Sequence, residues 1–248
     1  MDGVPLSWLF AGLVFLLAGL VKGVIGMGLP TVAMGLLSLV FAPVEAAALL
    51  VIPSLVTNVW QLLAGPNWIA LARRLWRMMA GVVASTLIAS GVLASDLGGA
   101  ARLALGIALV AYAAIGLSGA RWRLAGRHEA WASPLVGATT GLVTGATGVF
   151  VLPAVPYLQA IGLDKDDLVQ ALGLSFTVST LALAGGLLQG GGWSGTSAAM
   201  SVAGLAPALV GMALGQVVRR HIAPATFRRV FFAGLFLLGI YLVVRQIA

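Results

Sequence analysis

Cysteine is absent from all 248 residues, which excludes disulfides, thiolate metal ligands and cysteine nucleophiles together. Charge is scarce too: 8% of residues are Asp, Glu, Lys or Arg, against roughly 25% in an average soluble domain. So little polar surface cannot cover a water-soluble globule, which rules out a soluble enzyme, a disordered chain and a nucleic-acid-binding module. Acids number seven, and each of them (Asp2, Glu45, Asp96, Glu129, Asp164, Asp166 and Asp167) falls at a boundary between apolar runs. What is abundant is apolar sequence, 60% of the chain, with a mean hydropathy of +1.07. Glycine follows at 33 residues, the composition of closely packed or broken helices in a bilayer. The chain reads as a multi-pass membrane protein embedded in lipid.

A secretory signal has a positive n-region before its apolar stretch. Here Asp2 is the only charge ahead of Lys22, so residues 6–22 read as a permanent membrane segment. That run, Leu6 to Val21, meets Lys22 and then Gly23, Gly26, Gly28 and Pro30, a density of helix breakers that predicts unwinding. Apolar sequence resumes over 29–41, and helices are expected at 46–64, 78–95 and 100–119. A polar, basic linker at 121–133 precedes the second half. There the plan recurs: a broken segment over 134–160, then helices at 168–188, 196–218 and 230–244.

The two halves share a motif. Gly19-Leu-Val-Lys-Gly-Val-Ile-Gly26 and Gly141-Leu-Val-Thr-Gly-Ala-Thr-Gly148 both read Gly-Leu-Val-x-Gly-x-x-Gly, displaced by 122 residues and followed by Pro30 and Pro153. Five apolar segments in the same order make an internal repeat, 1–120 and 134–248. The Arg clusters at 73–77, 121–127 and 219–229 belong in the cytoplasm by the positive-inside rule. The loops at 95–99 and 189–195 then lie outside, both termini are periplasmic, and the repeats run in opposite directions, as in secondary transporters. A leg of 13 residues rises only about 20 Å, short of the ~30 Å hydrocarbon core. The predicted fold is therefore all-α, two inverted-topology repeats of five helical segments, each opening with a re-entrant hairpin.

Candidate binding residues follow from that frame. Lys22 is the one ionisable group deep in a segment, where an unpaired ammonium attracts an anion or snorkels to an interface. Thr144 holds the equivalent place. Gly19/Gly23 and Gly141/Gly145 are small-xxx-small pairs suited to helix packing. Gly26, Gly28 and Gly148 lie where a second leg begins, so that with Thr31 and Thr147 they shape a site rich in free N–H groups. Ser54, Thr57, Asn58 and Gln61 form one stripe at i, i+3, i+4 and i+7, and Ser175 and Ser179 pair in the second half. Such stripes line a pathway or hydrogen-bond helices to each other. The seven Trp residues lie mainly near segment ends as interfacial anchors. His128 and His221 fall in loops without metal-ligand spacing, so no metal site is expected.

The run Lys22-Gly-Val-Ile-Gly-Met-Gly-Leu-Pro30, the repeated glycine motif and Pro153 resemble the TauE/SafE family of bacterial membrane transporters over essentially the whole chain. The resemblance implies a multi-pass protein of the bacterial inner membrane. It implies export of sulfite, sulfonates or related anions without a prosthetic group. In the second tip Gly148 is followed by Val149 and Phe150 rather than further glycines, which leaves room for an anion with an organic body. The partners expected are a small anion and the lipid bilayer, not nucleic acid; a homodimer is open. Two other functions stay in view: an anion channel, and an intramembrane enzyme, which lacks any acid–base pair.

Overall fold

In a computed structural model, which describes residues 6–94, 99–120 and 122–247, the chain folds into ten helices. They are α1 (Leu6–Ile25), α2 (Leu29–Leu37), α3 (Pro43–Leu63), α4 (Trp68–Ala94), α5 (Ala100–Ser118), α6 (Gly126–Thr147), α7 (Ala154–Ala160), α8 (Lys165–Gln189), α9 (Gly195–Val218) and α10 (Pro224–Ile247). Seven of these, α1, α3, α4, α5, α8, α9 and α10, are long and apolar enough to cross a membrane. The nine residues of α2 and the seven of α7 are too short, and the 22-residue α6 is also outside that set.

Glycine sets the closest packing. A Cβ on Gly19 would run into the backbone of Ala208, and one on Gly23 into that of Met212 and Gly215. From the facing helix, Gly211 and Gly215 meet the backbones of Leu16 and Leu20. Gly137, Gly141 and Gly145 of α6 meet Met78, Val82 and Thr86 on α4 in the same way. Small residues let backbones touch where lipid offers no hydrophobic drive to association.

These contacts also fix direction. Numbers rise together in α1 with α9 (Phe15 on Gly204, Gly19 on Ala208, Gly23 on Gly215) and in α4 with α6, so both pairs are parallel. They run oppositely in α3 with α8, where Gly65, Leu62 and Asn58 meet Gln170, Gly173 and Thr180. The α5–α10 pair is antiparallel as well, Gly106 meeting Val243 and Gly116 meeting Phe232. Exchanging the two halves carries the α1–α9 pair onto α6–α4 and maps α3–α8 and α5–α10 onto themselves.

Helix boundaries depart from expectation at the charged ends. The helix expected from 78 starts at Trp68, the one expected from 230 starts at Pro224, and the linker expected over 121–133 is helical from Gly126. Hydropathy marks where lipid ends, not where backbone hydrogen bonding ends. At 27 residues α4 runs about 40 Å, longer than the hydrocarbon core, and its arginines ride on the projecting turns. There Arg74 pairs with Glu129 of α6 at 2.7 Å and donates to the Ile161 carbonyl after α7. Asn67 donates to Asp167 at 2.8 Å, and Gln170 to the carbonyls of Leu62 and Gly65. The arginine-rich segments at 73–77 and 123–127 are thereby gathered at one end of the bundle, where Arg219 and Arg228 line a cavity with Arg123. Of the expected outer loop at 95–99 only Gly99 is described; Asp2, Asp96 and Arg121 also lie outside the described residues.

Candidate functional site

Lys22 lies in the last turn of α1, one turn before the break rather than at its tip. The helix passes through Gly23, which is needed for contact with α9, and ends only where Gly26 (φ +78°) and Gly28 (φ +102°) take the left-handed backbone that glycine adopts freely. With 4% of its surface exposed, Lys22 is buried and does not snorkel. Its Nζ donates to Thr57 Oγ1 at 3.2 Å and to Asn58 Oδ1.

Both acceptors are held from behind. Thr57 Oγ1 donates to the Pro53 carbonyl at 2.8 Å, which turns its lone pair towards the ammonium. Asn58 presents its oxygen to Lys22, so its Nδ2 faces Thr180 Oγ1 at 3.5 Å. Thr180 in turn donates to the Phe176 carbonyl at 2.6 Å. An ammonium has three donors. Two go to neutral oxygens, and no carboxylate pairs with Lys22 among the described residues. A buried cation solvated only by neutral dipoles is an attractive site for an anion.

Of the remaining expected residues, Ser54, Ser175, Ser179 and Thr31 are all fully buried with hydroxyls that have no partner among the described residues. Gln61 departs from its stripe: Nε2 donates to the Val169 carbonyl at 3.0 Å, tying α3 to α8. Thr144, the counterpart of Lys22, turns back on the Thr140 carbonyl at 2.7 Å. Thr147 bonds the Val143 carbonyl and accepts from Val149 N, which organises the second tip. A Cβ on Gly148 would sit 2.9 Å from Met34 Sδ, so the second tip meets α2 rather than Gly26 and Gly28. Phe150 fills the space beyond it, its ring 5.4 Å from that of Phe176. Among the described residues no group of His, Cys, Asp or Glu could hold a metal.

A cavity of about 930 Å³ opens at the arginine-rich end. One face of α5 (Tyr112, Ile115, Gly116), one face of α10 (Arg228, Phe232) and the C-terminal half of α7 enclose it. Its floor is the first tip, Val24, Ile25 and Met27, with Tyr112 Oη 3.5 Å from Met27 Sδ. Lys22 lies behind that floor, one turn back along α1. Sequence reasoning missed this cavity because its residues are scattered over seven segments, from α1 to α10. Thr180 lies around the corner from the Ser175 and Ser179 pair and was not among the candidates, although the 122-residue displacement reaches it directly from Asn58.

An all-helical, multi-pass bundle with interrupted hairpins and one buried, acid-free cation has the anatomy of a membrane transporter. The family model described as Sulfite exporter TauE/SafE matches residues 11–242. The chain belongs to that family, and is a membrane transporter rather than an enzyme. No curated protein and no solved structure matches it.

Proposed function

We propose that this transporter exports small sulfur-containing or organic anions (sulfite, a sulfonate or a related carboxylate) from the bacterial cytoplasm by alternating access. The anion binds near the midplane beside Lys22, with the hydroxyls of Ser54, Ser175 and Ser179 and the N–H groups opening the second legs as further donors. The observation that carries the reading is Lys22: a buried ammonium whose partners among the described residues are neutral and whose third N–H has none there. Inverted topology belongs to the reading. It is supported by the antiparallel run of α3 against its counterpart α8, and of α5 against α10. The arginine-bearing end then faces the cytoplasm and both termini the periplasm.

Efflux of radiolabelled sulfite and of a sulfonate from proteoliposomes tests it. Saturable efflux with counterflow, lost in Lys22→Ala, is expected. Flux that neither saturates nor shows counterflow makes the protein a channel, and unchanged efflux in Lys22→Ala removes the cation from the site.

A further inference from the structure

We propose that the cavity at the arginine-rich end is a second binding site, a vestibule selecting anions with an apolar organic body before they reach Lys22. The inference rests on the transport reading above for its purpose but on separate residues for its chemistry.

Three guanidiniums, Arg123, Arg219 and Arg228, line the cavity, and among the described residues no carboxylate does. They come from three segments: the stretch before α6, the C-terminus of α9 and the first turns of α10. None is ion-paired among the described residues, where Arg74 and Glu129 form the single pair. Converging positive charge in a walled cleft focuses the field and raises the local concentration of anions. Guanidinium also matches the oxygens of a sulfonate or carboxylate with two parallel hydrogen bonds.

Much of the remaining lining is apolar or aromatic. Tyr112, Ile115, Phe232, Val155, Pro156 and Met27 belong to it, and the Phe232 ring stands edge-on to Tyr112 at 5.1 Å. A bare sulfite would leave this lining uncovered. Cavities of about 300–1,000 Å³ with apolar walls and a few convergent polar groups hold organic ligands, and this one falls in that range. Head on the arginines and body on the aromatic lining is the arrangement that covers both surfaces. Met27 and Tyr112 line the cavity in contact with each other, and Val24 and Ile25, just after Lys22 on α1, line it too.

The test is calorimetric titration of the purified, detergent-solubilised protein with methanesulfonate, benzenesulfonate and 2-naphthalenesulfonate, which share one charged head and differ in body. Affinity is expected to rise about tenfold from methane- to benzenesulfonate, and further with the second ring. The Arg219→Gln/Arg228→Gln double variant should weaken benzenesulfonate by about tenfold or more, and Lys22→Met by no more than about threefold. Arg123→Gln, in an exposed stretch outside the helices, gives the same reading should the double variant fold poorly. An affinity series flat across the three bodies, or binding indifferent to all three arginines, overturns the proposal. Its failure is separable from that of the transport reading. Sulfite efflux that needs Lys22, without benzenesulfonate binding, sinks the vestibule alone. Vestibule binding with efflux indifferent to Lys22 sinks the midplane site alone.

Discussion

Asn58 and Thr180 meet across the α3–α8 interface, Nδ2 to Oγ1 at 3.5 Å, and they are 122 residues apart. That displacement is the one relating the two Gly-Leu-Val-x-Gly-x-x-Gly motifs. In the inverted-repeat arrangement proposed above, a residue touching its own counterpart lies on the axis that relates the repeats. Lys22 bonds the same Asn58, so the only cation deep in the described bundle sits beside that axis. The repeated motif is asymmetric in charge, because Thr144 stands where a second lysine would be.

The asymmetry makes Lys22→Met informative. Breaking a buried ion pair strands a charge, which costs several kcal/mol. Lys22 has only neutral partners, so the change removes a buried charge and strands none. Thermal stability of the variant should equal or exceed that of the parent. Sulfite-induced thermal stabilisation should disappear, while Arg102→Ala keeps it. A large drop in the melting temperature of Lys22→Met would instead make the lysine a structural strut.

Helix packing supplies a second contrast. A side chain at Gly211 would run into the Leu16 carbonyl, whereas nothing lies within 4 Å of a Cβ on Gly12. Gly211→Leu should therefore destabilise by about 3 kcal/mol or more by prising α9 off α1. Gly12→Ala should gain about 0.5–1 kcal/mol of helix propensity. Unfolding in mixed micelles followed by circular dichroism checks both. Similar behaviour of the two variants would deny that the α1–α9 contact is glycine-dependent.

Much of this was legible in the sequence because lipid simplifies the code. Long apolar runs can only be helices there, and the breaks at Gly26–Pro30 and Gly148–Pro153 declared themselves through residues that helices reject. The roles of Gly19, Gly23, Gly141 and Gly145 in packing followed from spacing alone. The charged helix ends did not, since Arg73, Arg74 and Arg77 lower hydropathy without disturbing the helix that carries them. Nor could one stripe reveal its division of labour. Thr57 and Asn58 serve Lys22 while Gln61, one turn on, serves Val169, because that depends on which helix lies opposite. The vestibule arginines were read for orientation only, their convergence being a property of tertiary structure.

Orientation gives a third prediction. Cysteines replacing Gly126 and Gly195, both exposed with open space at the Cβ, and a third replacing Gly3, allow labelling from either side of the membrane. An impermeant maleimide should reach positions 3 and 195 from the periplasm and 126 only after the membrane is opened. Labelling of 126 together with 195 would mean that α6 and α7 do not return to the side they left.

The source of driving force is the last prediction. Proton-coupled carriers commonly place a carboxylate or histidine within the membrane as a relay. In this bundle the five described acids are all at helix ends, and four of them have local duties. Glu45 accepts from Ala42 N at the start of α3, Asp164 caps α8, Glu129 holds Arg74, and Asp167 accepts from Asn67. None is deep enough to pass a proton across the bundle. An uncoupled anion leaves an inside-negative cell downhill by about 2.3 kcal/mol per charge per 100 mV. Export driven by the anion gradient and the potential therefore needs no relay. In proteoliposomes with the pH gradient collapsed and the potential clamped inside-negative, sulfite efflux should persist and scale with the potential. Glu45→Gln and Asp167→Asn should match the parent in rate, losing only about 1 kcal/mol of stability from the capping and interhelical bonds they make. Efflux that requires a pH gradient and falls in either variant would identify that boundary acid as the proton relay and end the carboxylate-free mechanism.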